Sequence, residues 1–295
     1  MSKRIEWIDV AKGILILLVI LGHSDVSAMA KNFINSFHMA AFFFLSGAVF
    51  RFNGDVKELI RKRLKSIILP YLIFSTIMLM YRFMCTKVFG GAFNFIDGIV
   101  SVFVPISGRK TTNVYGLWFL PCLFWAEVLM ALLLKTRKPA LGFAVVTLAC
   151  VAIHFAAKAV SIIPILPIAL LFLMGGYYAR NREDIILKIV ARHKAVLCVG
   201  SAALLTICFG VNSVALKNNV DMSSMCLGLP PLYLLSCAFG TILVCMISLV
   251  IGKSKALSSV GRNSLYYYGL HFEVLSAVSK IVRGGYCKPS YHASF

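Results

Sequence analysis

The chain has 295 residues, 60% of them hydrophobic and only 14% charged, and its mean hydropathy of +0.87 lies well above that of an ordinary soluble domain. This excludes a soluble globular protein and predicts an all-α polytopic membrane protein. The excess of 30 Lys and Arg over 11 Asp and Glu does not require a nucleic-acid partner, because basic residues of a polytopic chain gather in short loops and set its orientation.

In chain order, about nine apolar segments are long enough, or nearly so, to cross a hydrocarbon core of roughly 30 Å. They run over 10–23, 33–50, 67–84, 117–134, 141–157, 162–178, 195–211, 229–251 and 264–282. The first carries Asp9 and Lys12 at its start and His23 at its end. Lys3-Arg4, the apolar run and Ala28-Met29-Ala30 imitate a secretory signal, but Asp9 and Lys12 interrupt the apolar region, so Met1 to His23 is read as mature protein. His38 lies just inside the outer end of the second segment, and Arg61-Lys62-Arg63 precedes the third. In the long connection that follows, "GGAFNFIDGIVSVFVP" predicts a short interfacial helix. The fourth segment holds Trp118 near its start and Glu127, a carboxylate with no evident partner; the ninth carries Ser264, Tyr267 and His271. A single transmembrane domain over 1–280 and a short tail over 281–295 are expected.

Basic residues test this order, because they should collect on alternate sides. One side gathers Lys3, Arg4 and Lys12, then Arg51, Lys57, Arg61, Lys62, Arg63 and Lys65, then Lys135, Arg137 and Lys138. Arg180, Arg182, Lys188, Arg192 and Lys194 follow, and finally Lys253, Lys255 and Arg262. The N-terminus is therefore expected in the cytoplasm, and the protein in the plasma (inner) membrane. Lys280, Arg283 and Lys288 then fall outside against the bias, which predicts a loosely held last helix and a smaller part for His271 than for His23. The nine cysteines sit mostly inside apolar segments without metal-ligand spacing, so they are read as packing residues. A disulfide involving Cys85 or Cys287 stays open, and no bound metal or cofactor is expected.

Ionisable groups inside a membrane are costly and are by default functional. Lys12 and His23 return to within about 20° of one helix face and stand about 16 Å apart along the axis. Asp9, one turn below Lys12, can orient it, and His38 can meet His23 across a short loop. A cation at one end of a helix and an imidazole at the other suit a long donor such as acetyl-CoA, its phosphates at Lys12 and the basic loop and its acyl group near His23. Imidazole can accept a hydroxyl proton at neutral pH. Other readings stand beside this one. A secondary transporter could use Lys12, His23 and His38 as an ion pathway. Arg61 and Arg63 could only set topology, and Trp118 could only anchor at the interface.

The stretches "RIEWIDVAKGILILLVILGHS" and "INSFHMAAFFFLSGAVF" resemble the acyltransferase 3 family of integral membrane acyltransferases, in particular its fucose 4-O-acetylase-like branch. Lys12 and His23 match the family's basic residue and the His that follows after ten intervening residues, with Lys12 in place of the usual Arg. His38, Phe44, Ser46 and Gly47 match the second motif, with Ala40 where Pro is common. Arg61 and Arg63, Trp118 in "GLWFLPCLF", and Ser264, Tyr267 and His271 in "GRNSLYYYGLH" continue the match. The resemblance implies O-acyl transfer from cytoplasmic acyl-CoA to a sugar hydroxyl of a cell-surface polysaccharide or its lipid-linked precursor. His23, Lys12 and His38 would be catalytic, with His23 a general base or a transient acyl carrier. Lys12, Arg61 and Arg63 would bind the donor, and Asp9, Trp118, Ser264 and His271 would support the site. Family members commonly have ten spans, so the resemblance also implies a shortened C-terminal end.

Overall fold

The apolar segments fold as helices in a computed structural model that describes residues 5–90, 93–103, 116–157 and 162–282. Lys3, Arg4, Arg283, Cys287, Lys288 and His292, and with them the open disulfide partner, lie outside the described residues. The helices are α1 (Glu6–His23), α2 (Ala28–Asn35), α3 (His38–Ala48), α4 (Val56–Arg63), α5 (Leu69–Phe89), α6 (Phe95–Phe103) and α7 (Phe119–Leu134). They continue with α8 (Pro139–Ala157), α9 (Leu166–Asn181), α10 (Glu183–Phe209), α11 (Pro230–Ile251), α12 (Lys255–Arg262) and α13 (Ser264–Val282). Among the described residues the only extended pairing is an isolated bridge between Asp221 and Cys226.

Each expected segment falls on a helix, and the protein is an all-α polytopic membrane protein. Four helical stretches among the described residues, 56–88, 163–181, 183–215 and 230–251, are long and apolar enough to cross a bilayer by themselves, with α7 and α8 as shorter apolar helices. α1 is about 27 Å long but carries Glu6, Asp9 and Lys12. Its acidic residues lie in the first turn and His23 in the last, which suits the helix dipole. The short helix expected after Phe89 is α6.

The second segment departs from a simple span. Ser27 caps α2 by accepting from the Ala30 N–H at 3.2 Å, and the chain then breaks at Phe37, whose φ of −152° and ψ of −26° are not helical. α3 has 11 residues, so at about 16 Å it is too short to cross the core alone. It is buried along most of its length and packs against α1, α9 and α11. A short helix at membrane depth is tolerated where protein surrounds it.

Glycines let the helices around α3 approach closely. A Cβ at Gly47 would collide with the Leu173 carbonyl of α9, and one at Gly176 with the Phe44 carbonyl of α3. The same holds between α1 and α12, where Gly13 meets the Leu257 carbonyl and Gly261 the Asp9 carbonyl. Such close backbone contact is how helices associate where lipid removes most of the hydrophobic driving force.

Two local irregularities have sequence causes. A π turn at Leu64–Ile68 joins α4 to α5 just before Pro70, which cannot donate a helical hydrogen bond. α10 kinks at His193 (φ −122°, ψ 25°), where the polar start of this helix gives way to the apolar segment expected from 195. The contacts sort the remaining loops into two ends. Lys253 reaches Glu6 at 3.8 Å, and α12 lies on the Lys12 end of α1. At the His23 end, Asn32 of α2 meets Asn219 at 3.4 Å. The loop containing Asn219 is pinned by Asn212, which donates to the Leu227 carbonyl and accepts from the Leu229 N–H, both at 2.9 Å.

Candidate active site

At the Lys12 end, a cavity of about 160 Å³ opens between α1, α3, the π turn, α7 and α13. Lys12 is half-buried in its wall, with the hydroxyls of Ser46, Ser66 and Ser264 and the rings of Phe42, Phe119 and Tyr268 around it. One cation among hydroxyls and apolar surface can receive the anionic part of a largely apolar-armed molecule. Three residues singled out by sequence, Lys12, Ser46 and Ser264, thus meet here from three helices. Trp118 is buried one residue before Phe119, and Asp9 is buried one turn before Lys12.

Glu127 finds its partner at the same end. Arg63 approaches it to 2.5 Å, with Glu127 almost fully enclosed and Arg63 about one quarter exposed, and the Arg63 guanidinium also lies 5.7 Å from the Phe50 ring centre. Arg63, expected at donor phosphates, is therefore engaged inside the bundle, whereas Arg61 is exposed. Sequence reasoning saw both Glu127 and the basic run, but 64 positions of chain separate Arg63 from Glu127. Only the docking of the α4 end against α7 joins them.

At the opposite end, His23 is exposed in the last turn of α1. Its ring centre lies 5.1 Å from that of His271, tilted by 42°, and 4.5 Å from that of Phe272. His271 is buried, 4% exposed, so the ninth segment brings an imidazole into the interior beside His23. Its Nδ1 is 2.7 Å from the Tyr268 carbonyl. That contact assigns the N–H to Nδ1 and leaves Nε2 as the lone-pair nitrogen.

Tyr268 links the two ends of the site. It lines the cavity, while its hydroxyl donates to the Gly116 carbonyl and accepts from the Phe119 N–H at 3.3 Å. Sequence reasoning chose Tyr267, but that residue is 43% exposed and Tyr268 points inward. One position in a helix turns a side chain by about 100°, so neighbouring tyrosines face different ways. Gly116 has φ +97° and lies against the Phe272 ring, where a Cβ would collide. The ring that flanks His23 thus depends on a glycine preceding α7.

His38 sits where α2 gives way to α3. It is buried in the first turn of α3, and its Nδ1–H donates to the Ile34 carbonyl at 2.7 Å, bridging the break between α2 and α3. The ring contacts of His23 are to His271 and Phe272. Among the described residues no group of three His, Cys, Asp or Glu side chains is arranged to hold a metal ion.

A helical multi-pass bundle with a cation-walled cavity at one end and paired imidazoles at the other defines a membrane protein with a built interior site. A family model described as an acyltransferase domain, that of acyltransferase 3, matches residues 5–288, and the chain belongs to this family of membrane acyltransferases. The comparisons with curated proteins and with solved structures gave no match.

Proposed function

We propose that the protein is an O-acetyltransferase that moves an acetyl group from cytoplasmic acetyl-CoA to a sugar hydroxyl of a cell-surface polysaccharide or its lipid-linked precursor. The plasma membrane is its proposed site, with Lys12 on the cytoplasmic side. The observation that carries this reading is the layout of α1: Lys12 in a cavity wall at one end and His23, exposed, at the other. The two are about 16 Å apart along the axis, a span suited to a donor whose charged head and reactive thioester lie at opposite ends of a long arm. Lys12 would take the donor phosphates, with Arg61 as an exposed second cation. His23 would accept the proton of the acceptor hydroxyl as it attacks the thioester carbonyl.

Mass spectrometry of surface glycans from cells with and without the gene tests this reading. The expected difference is the mass of one acetyl group, lost again when His23→Ala replaces the wild type at equal membrane abundance. Unchanged glycans in the His23→Ala strain would remove His23 from the chemistry. Counter-flow of labelled substrate through reconstituted vesicles without consumption of acetyl-CoA would support a transporter instead.

A further inference from the structure

The His271 side chain is buried, yet its Nε2 has no hydrogen-bond partner in the structure. A buried acceptor left unmatched is costly, and such groups call for a specific explanation. The Nδ1–H is already committed to the Tyr268 carbonyl at 2.7 Å, so Nε2 offers a lone pair. His23 is the imidazole beside it, at 5.1 Å between ring centres. A linear N–H···N bond between two imidazoles sets their centres about 5 Å apart, which is the separation these two rings have. Phe272 flanks both rings, at 4.5 Å from His23 and 4.1 Å from His271, and is itself seated against Gly116.

We propose that His271 is a positioning residue for His23: its Nε2 accepts the N–H of one His23 ring nitrogen and so fixes the tautomer in which the other nitrogen is basic. The inference rests on His23 being the general base of acyl transfer. The acceptor hydroxyl oxygen forms a bond to the thioester carbonyl carbon while its proton passes to the free nitrogen of His23, giving an imidazolium. The C–S bond then breaks, and the leaving thiolate takes that proton and returns His23 to neutral. His271 takes up no proton. Its lone pair holds the second His23 N–H throughout and favours the imidazolium, the part that a third group plays for other imidazole bases.

The test compares wild type, His271→Leu, His271→Gln and His23→Ala as full chains in lipid nanodiscs, with acetyl-CoA as donor. The glutamine amide oxygen reaches roughly where Nε2 sits, whereas leucine offers no acceptor. We expect His271→Leu to lower kcat by about 10- to 100-fold with little change in donor KM, and His271→Gln to recover most of the loss. In ¹⁵N spectra of the histidine rings, with His23 assigned by its absence in His23→Ala, wild type should show one neutral His23 tautomer and His271→Leu a mixture. Full turnover in His271→Leu, or equal losses in both His271 variants with an unchanged tautomer, overturns the proposal. The wild-type spectrum decides the tautomer even where a variant fails to fold; a mixture there also overturns it. Absence of acyl-CoA consumption by wild type, with a single tautomer that His271→Leu abolishes, would refute the acetyl-transfer reading while leaving the positioning intact.

Discussion

Replacing Glu127 by leucine removes the carboxylate that holds Arg63 at 2.5 Å inside the bundle. At an effective dielectric of 20, two unit charges at this separation attract by about 7 kcal/mol, much of which is offset by the cost of drying both groups. Removing one partner nevertheless leaves the other charge uncompensated, at a typical cost of 3–5 kcal/mol. Glu127 is 3% exposed and Arg63 25%, so the surviving arginine can recover some solvation, and Glu127→Leu should destabilise by about 3 kcal/mol. Arg63→Met strands the more enclosed partner and should cost at least as much. The double variant Glu127→Leu/Arg63→Met replaces the pair with apolar volume and should return to within about 1 kcal/mol of wild type. Unfolding by denaturing detergent, followed for all four proteins, yields the coupling free energy, expected at about 5 kcal/mol from these losses. A double variant that loses the sum of the two single losses would refute an ion pair that matters to the fold, and with it the account of why Arg63 is turned inward.

Lys12→Ala should raise the donor KM by about 10- to 100-fold, as expected for one lost charge-assisted contact, while Lys12→Arg keeps most of the affinity; steady-state kinetics with unchanged KM in Lys12→Ala would remove the cation from donor binding. Tyr268→Phe leaves the Gly116 carbonyl and the Phe119 N–H without their partner and should cost about 1–3 kcal/mol; a loss below about 0.5 kcal/mol in the same unfolding assay would argue against the link. Gly116→Val combines about 1–2 kcal/mol of left-handed backbone strain with a collision at Phe272, so transfer should fall more than stability predicts; full transfer activity would show that Phe272 does not matter to His23. Gly261→Ala forces α12 away from the Asp9 carbonyl and should destabilise by about 1–3 kcal/mol; wild-type stability would refute close packing there.

Much of the architecture is determined by the sequence alone, because a bilayer imposes one rule on every segment: apolar side chains outward and all backbone groups bonded within the helix. Hydropathy therefore located the apolar helices, among them α1, α5, α7, α8, α9, α11 and α13, though not the polar α4 and α12, and the alternation of basic residues assigned their ends to two groups, with the contact of Glu6 and Lys253 within one of them. Lys12 and His23 were legible together because both lie on one helix, where spacing is geometry. What the tertiary structure decided are the pairings between helices. Arg63 with Glu127, His271 with His23, and Tyr268 rather than Tyr267 toward the cavity depend on how each helix is rotated about its axis. Nearly uniform hydrophobicity around a membrane helix leaves that rotation weakly encoded, so it is set instead by backbone-to-backbone fits such as Gly13 on Leu257 and Gly47 on Leu173, between residues far apart in the chain. The break at Phe37 was not legible either: an apolar run reads as continuous, whereas the structure breaks it there, with His38 bonding back to the Ile34 carbonyl across the break.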